Sequence, residues 1–136
     1  MRYLAIDYGA KRTGLAVCDA GERVVSPLRV LHGQKNLVEE IRQIVSAERI
    51  EAVVLGLPLN MDGSQGPQAK RVMAFAEQLE RHIGVPIHLQ DERLSSFGAE
   101  QKWQEIGLSR SKKQERLDAL AAAEILESFL EQRKRG

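Results

Sequence analysis

Ala52-Val53-Val54-Leu55-Gly56-Leu57, followed by Pro58-Leu59-Asn60-Met61-Asp62-Gly63-Ser64, is the stretch that decides the fold. A strand with one wet face alternates polar and apolar residues, so a nearly all-apolar run predicts a central parallel strand covered on both faces. The Pro58 to Ser64 segment, rich in turn formers, predicts a loop that ends it. Upstream, Leu37, Val38, Ile41, Ile44 and Val45 recur at helical spacing between Gln34 and Glu48 and predict an amphipathic helix. Downstream, Pro67 suits a first helical turn, and Val72, Phe75, Ala76, Leu79 and Ile83 continue one face until Gly84.

Working outward again, Val85 to Gln90 reads as the last strand and delivers Asp91-Glu92-Arg93 to its carboxyl end. Ser95 or Ser96 is placed to cap a helix carrying Phe97, Ala99, Trp103 and Ile106, closed by Gly107. A basic connector with Arg110, Lys112, Lys113 and Arg116 then leads to a final helix from about Gln114 to Gln132. At the other end, Arg2 to Ile6, Thr13 to Cys18 and Arg23 to Leu31 read as three short strands, and their tight connections favour antiparallel pairing. The order βββ-α-β-α-β-α-α implies an α/β fold, a mixed five-stranded sheet flanked by helices.

The 136 residues suit one domain spanning 1–136. Hydrophobic residues at 43% and charged residues at 29% match an ordinary globular chain and argue against disorder or a fibrous repeat. Twenty basic against nineteen acidic side chains leave +1, so affinity for a polyanion must come from local clusters. Cys18 alone excludes an internal disulfide, and the three histidines are not spaced as a zinc framework. No apolar run reaches the roughly 20 residues that a bilayer requires, and Met1-Arg2-Tyr3 opens without a signal-peptide pattern. A cytoplasmic protein is expected.

Three acidic places stand out: Asp7 at the end of one apolar strand, Asp91-Glu92 at the end of another, and Asp118 in the final helix. Ligands of open α/β sheets collect at the carboxyl ends of strands. On a helical wheel Ala121, Ala122, Ile125 and Phe129 lie within about 60° of Asp118, whereas Glu124, Glu127 and Glu131 fall on the opposite side. Asp118 therefore faces inward, where a carboxylate needs a partner.

Taken singly, Asp7 reads equally well as a turn cap, Asp91 or Glu92 as an ion pair with Arg93, and Asp118 as a charge near a helix N-terminus. Three carboxylates at one sheet edge would repel unless a cation held them, and oxygen donors suit Mg²⁺ or Mn²⁺. That points to phosphoryl chemistry. A His88, Asp91 and Ser95 or Ser96 triad lacks a nucleophile-elbow pattern. Cys18 reads as a small packed residue, and Phe97 and Trp103 as core. The Arg110 to Arg116 cluster is suited to track a phosphate backbone, while Arg133-Lys134-Arg135 reads as a solvated tail.

Four ordered motifs carry a resemblance: Ala5-Ile6-Asp7-Tyr8-Gly9 with Lys11-Arg12-Thr13-Gly14; Val54 to Gly63; Asp91-Glu92-Arg93-Leu94-Ser95; and Leu117-Asp118-Ala119-Leu120-Ala121-Ala122. The first alone also resembles the phosphate-binding turn of actin-like ATPases and sugar kinases, and the other three break that tie. Over nearly its whole length the chain resembles the YqgF family, also called RuvX. These are candidate pre-16S rRNA nucleases related to Holliday junction resolvases.

The resemblance implies an RNase H-like fold and an acidic triad of Asp7, Glu92 and Asp118 holding two Mg²⁺ or Mn²⁺ ions. Glu92 is chosen over Asp91 because neighbours on an extended strand point to opposite faces. Lys11, Arg12 and Arg93 would bring positive charge to phosphates, with Lys112, Lys113 and Arg116 on the backbone beyond. Gly9 and Gly56 would allow close backbone approach, and Asn60, Asp62 and Ser64 would sit in a loop over the substrate. The implied substrate is the small-subunit ribosomal RNA precursor, trimmed toward its mature 5′ end by a monomer or homodimer. The alternatives are a resolvase of four-way DNA, which needs a symmetric dimer, and a non-catalytic nucleic-acid-binding factor in transcription or ribosome assembly.

Overall fold

The computed structural model describes residues 1–94 and 110–135. Strands β1 (Tyr3–Asp7), β2 (Arg12–Cys18) and β3 (Val25–His32) precede helix α1 (Leu37–Ala47) and strand β4 (Ala52–Leu57). Helix α2 (Pro67–Glu80), strand β5 (Ile87–Asp91), a 3₁₀ turn over Glu92–Leu94 and helix α3 (Arg110–Arg135) follow. The sheet has five strands in the order β3-β2-β1-β4-β5. Strands β1, β2 and β3 pair antiparallel, and β4 lies parallel to both β1 and β5, as the short and helical connections required.

The period-two alternation sorts each strand between two apolar layers. Leu4 and Ile6 of β1, Leu15 and Val17 of β2, and Val53, Leu55 and Leu57 of β4 pack with Ile41 and Ile44 of α1 and Val72, Phe75 and Leu79 of α2. On the other face Tyr3, Ala5, Ala16, Cys18 and Val54 pack with Ala122, Ile125, Leu126 and Phe129 of α3. Small residues on this second face let the long helix lie close. Every residue of β4 is buried, which is why the run lacks polar positions.

Two expectations change. The basic stretch from Arg110 is not a connector but the first turns of α3, because Lys, Arg, Gln and Glu are good helix formers and no glycine or proline interrupts them. Glu124, expected on the solvent side, is only 4% exposed. Residues 122–126 are buried in unbroken succession, so α3 is covered around more of its girth than one sheet face provides. Glu127 and Glu131 are exposed as the wheel predicted. The helix expected around Phe97, Ala99, Trp103 and Ile106, with its Ser95 or Ser96 cap, lies outside the described residues. Among the described residues no helix is long and apolar enough to cross a membrane.

Candidate active site

Asp7 ends β1 on the face covered by α3, two residues beyond Ala5. Its antiparallel partner across β2 is Gly14. On the other side Ile6 pairs with Leu55, so Gly56 of β4 lies one step further along the neighbouring strand. Both glycines clear space for an incoming acid. A Cβ on Gly14 would stand 2.1 Å from the main-chain oxygen of Asp118. One on Gly56 would stand 2.6 Å from Ile125 Cδ1 and 3.1 Å from Glu92 Cδ. Asp118 thus arrives from α3 over β2, and Glu92 from the 3₁₀ turn over β4, with Asp7 between them.

Electrostatics tie the three together. Burial pushes the Asp7 carboxyl up to about 6, with Asp118 adding to the rise. Burial pushes Glu92 up to about 7, with the charges of Asp7 and then Asp91 adding to it. At Asp118, Arg12 Nε donates to Oδ2 at 2.7 Å and Gln114 Nε2 to Oδ1 at 3.2 Å. Among the described residues no three acidic, histidine or cysteine side chains converge closely enough to hold an ion as they stand.

A divalent cation fits the donor chemistry. The two half-buried carboxylates offer hard oxygens, and burial and neighbouring carboxylates raise both. Asp7, Glu92 and Asp118 are the residues that would hold such an ion.

Asp91 is engaged elsewhere, and by something other than the strand pleat. Strand β5 stops at Asp91 and Glu92 already belongs to the turn. The Arg93 side chain clasps both Asp91 oxygens, its Nη2 at 2.7 Å from Oδ2, and holds the carboxyl below the usual range. Arg93 Nη1 also donates to the Met61 carbonyl at 3.0 Å, pinning the loop after β4. Within that loop Asn60 donates to Ser64 Oγ, and Ser64 Oγ donates to Asp62 Oδ1 at 2.6 Å, so Asn60, Asp62 and Ser64 brace one another at the surface. Gly63, at φ +88, makes the turn possible.

Other expected contacts fall differently. Gly9 faces Arg12, whose carbonyl oxygen would lie 2.4 Å from a Cβ there, so this glycine closes the β1–β2 turn. Gly56 is buried beneath Glu92 and Ile125, so its close approach is to the protein itself. Lys11 is exposed at the end of the same turn. Lys112 and Arg116 line a groove of about 420 Å³ with Pro27, Arg29 and Val30 of the edge strand β3, and Lys113 is not among its lining residues. Glu115, also lining it, bonds His32 at 2.5 Å. His88 packs edge-on to Tyr3, and the Cys18 thiol is buried and pushed up by that burial, so both act as packing groups.

Sequence reasoning missed two residues, Gly14 and Gln90, and one pairing. Gly14 had a readable signal, since a glycine inside a strand marks close approach of another backbone. The Arg12 to Asp118 pair joins positions 106 apart and left no local signal. Gln90, paired with Gly56, is 4% exposed, and its buried Nε2, beside the turn that carries Glu92, has no hydrogen-bond partner among the described residues. Its place between Leu89 and Asp91 in β5 gave no hint of that.

Known proteins place these features in context. A RuvC from Thermus thermophilus in complex with a Holliday junction substrate superposes with a TM-score of 0.59 at 16% identity, covering 97% of this chain and 96% of that one. The fowlpox virus Holliday junction resolvase superposes with a TM-score of 0.57 at 14% identity, covering 97% and 99%. The fold is therefore RNase H-like, of the RuvC type. Relatives named as candidate pre-16S rRNA nucleases are closer in sequence. That of Maridesulfovibrio salexigens is 40% identical over 132 residues, 96% of this chain and 98% of the relative. That of an Anaeromyxobacter species is 44% identical over 136 residues, 98% of each. A model of the RuvX family, described as Holliday junction resolvase, matches residues 1–132, and with relatives this similar over nearly full length the chain belongs to that family.

Proposed function

We propose that the chain is a divalent-metal-dependent nuclease that hydrolyses phosphodiester bonds in RNA, trimming the 16S ribosomal RNA precursor toward its mature 5′ end in the cytoplasm. The observation that carries this reading is the pair of half-buried carboxylates at adjacent strand ends, Asp7 and Glu92, both raised by burial and flanked by Asp118. The relatives' names supply the substrate.

In this reading Asp7, Glu92 and Asp118 hold Mg²⁺ or Mn²⁺, which supplies an activated water and a stabilised leaving oxygen when bound. The chain's own task is placement. Gly14 and Gly56 set the two flanking acids against Asp7. Lys11 and Arg12 face the phosphate from the β1–β2 turn, and Arg93 fixes the Asn60 to Ser64 loop at the opposite rim. Lys112, Lys113 and Arg116, on the first turns of α3, attract the backbone beyond the scissile bond.

The family description favours a second reading, cleavage of four-way DNA by a symmetric dimer. One experiment separates them. Purified chain is incubated with labelled 16S precursor RNA, unstructured RNA and four-way DNA, with Mn²⁺ or with chelator. Precursor RNA should be cut only with Mn²⁺, and Asp7→Asn or Glu92→Gln should abolish the cut. Cleavage of the junction alone transfers the reading to DNA, and undiminished cutting in excess chelator defeats both.

A further inference from the structure

We propose that Arg12 is a resident counter-cation of the acidic site, one that a divalent ion must displace from Asp118, so that ion loading releases the guanidinium toward the substrate phosphate. The inference rests on the metal-dependent reading above and concerns what this chain does before the ion arrives.

Both Asp118 oxygens are engaged, by Arg12 Nε at 2.7 Å and Gln114 Nε2 at 3.2 Å, so an arriving ion meets a carboxylate whose charge is already shared with a guanidinium. As the side chains stand, no three-ligand set closes among the described residues. Release of the Arg12 side chain frees Asp118 Oδ2.

The pair is built for exchange. Two arginine–carboxylate contacts flank the site and they are unequal. The Arg93 side chain makes three hydrogen bonds to Asp91 and a fourth to the Met61 carbonyl. Among the described residues one hydrogen bond joins Arg12 to Asp118. The Arg12 side chain is 35% exposed, against 20% for Asp118, so the cation already borders solvent while the acid is set inward. Its backbone cannot follow, being paired with His32 across β2 and β3 and packed on Gly9. The side chain alone must swing, and a guanidinium freed at the rim meets phosphate with planar, charge-assisted geometry.

The thermodynamic consequence is reciprocal. If Arg12 and the ion compete for Asp118, each weakens the other by the same factor. A phosphate that engages Arg12 must then tighten the ion. Empty of ion, the site remains partly neutralised and the guanidinium stays withdrawn from the substrate.

The test is Mn²⁺ binding by calorimetry to the full chain, with no substrate present. Arg12→Gln should bind Mn²⁺ roughly fivefold or more tightly than wild type, the lower end of ordinary coupling between linked sites. The gain should vanish in an Asp118→Asn background, because the competition acts through that carboxylate. A measurement on the wild type guards against a variant that folds poorly. Modification of Arg12 by phenylglyoxal, read by peptide mass spectrometry, should accelerate when Mn²⁺ is added. Unchanged or weaker Mn²⁺ binding by Arg12→Gln, or an Arg12 reactivity indifferent to Mn²⁺, overturns the competition while leaving metal-dependent cleavage intact. Failure of both proteins to bind Mn²⁺ overturns the competition and the metal-dependent reading together.

Discussion

Replacing Gly14 by alanine tests the frame of the site more sharply than replacing any acid. The added Cβ would lie 2.1 Å from the Asp118 carbonyl oxygen and 2.6 Å from its carbonyl carbon. Those are main-chain atoms of a helix, so no rotamer change relieves the clash, and α3 must move off the sheet by about 1 Å to restore ordinary contact. Gly14 does not have a positive φ, so no dihedral strain is added, and alanine recovers about 0.4–1 kcal/mol through the unfolded chain. Overpacking of this kind costs roughly 3 kcal/mol or more. The net loss should lower Tm by roughly 10 °C in a chain of this length, at about 2.1 cal/mol/K of unfolding entropy per residue.

Gly56→Ala is the internal comparison. Its nearest obstacle is the tip of Ile125 at 2.6 Å, a side-chain atom that can yield, so about half that loss is expected. Calorimetry in chelator reads the stabilities, and amide exchange along α3 reads the displacement. A Gly14→Ala protein within about 2 °C of wild type would refute the claim that backbone contact at Gly14 positions Asp118.

Three further outcomes follow from the same geometry. Asp7 and Glu92 have folded values above their ordinary ones, so the folded chain keeps protons that the unfolded chain has lost, and stability in chelator should fall as pH rises from about 4 to about 7 and then level off. Glu92→Gln should flatten that fall and stabilise the ion-free protein at pH 8 by on the order of 2 kcal/mol, and denaturant titrations at pH 5 and pH 8 check the sign. Arg93→Ala should return the Asp91 carboxyl toward its ordinary range, seen by carbon-detected NMR titration, and speed proteolysis between Asn60 and Ser64, whereas an unmoved Asp91 would deny the clasp. Replacing Lys112, Lys113 and Arg116 together by glutamine should flatten the salt dependence of RNA binding by up to three counterions, and an unchanged slope would return this cluster to a solvated surface.

The layered plan was written locally. Residues 52–57 announced a strand buried on both faces, and helical spacing announced α1 and α2, because burial imposes periodicity on any chain that satisfies it. Tertiary pairing leaves no such mark. The pleat argument for Glu92 presumed that Asp91 and Glu92 share a strand, yet β5 ends between them and Arg93 decides which acid is engaged. Lys112 and Lys113 read as a connector because charge was taken for irregular structure, although those side chains favour helix when nothing breaks it. Gly56 was read as room for substrate, and only the approach of Glu92 and Ile125 reveals it as room for the protein.

The site draws its character from a conflict the fold does not resolve by itself. Asp7 sits where the alternation of β1 would place another small apolar residue like Ala5 against α3, and the polar end of that alternation is tolerated because β1 stops there. Glycines on both neighbouring strands then admit two more carboxylates, which raises the electrostatic cost instead of relieving it. Apolar layers on both faces of the sheet supply the stability that offsets this cost. Of the nearby acids, Asp91 is neutralised by an arginine on its own turn, and Asp118 by one from another strand. Asp7 and Glu92 retain the tension, held between carboxylate neighbours and burial. On the proposed reading a divalent cation would relieve both at once, as protonation does at lower pH, so affinity for the ion and instability without it would have the same physical origin.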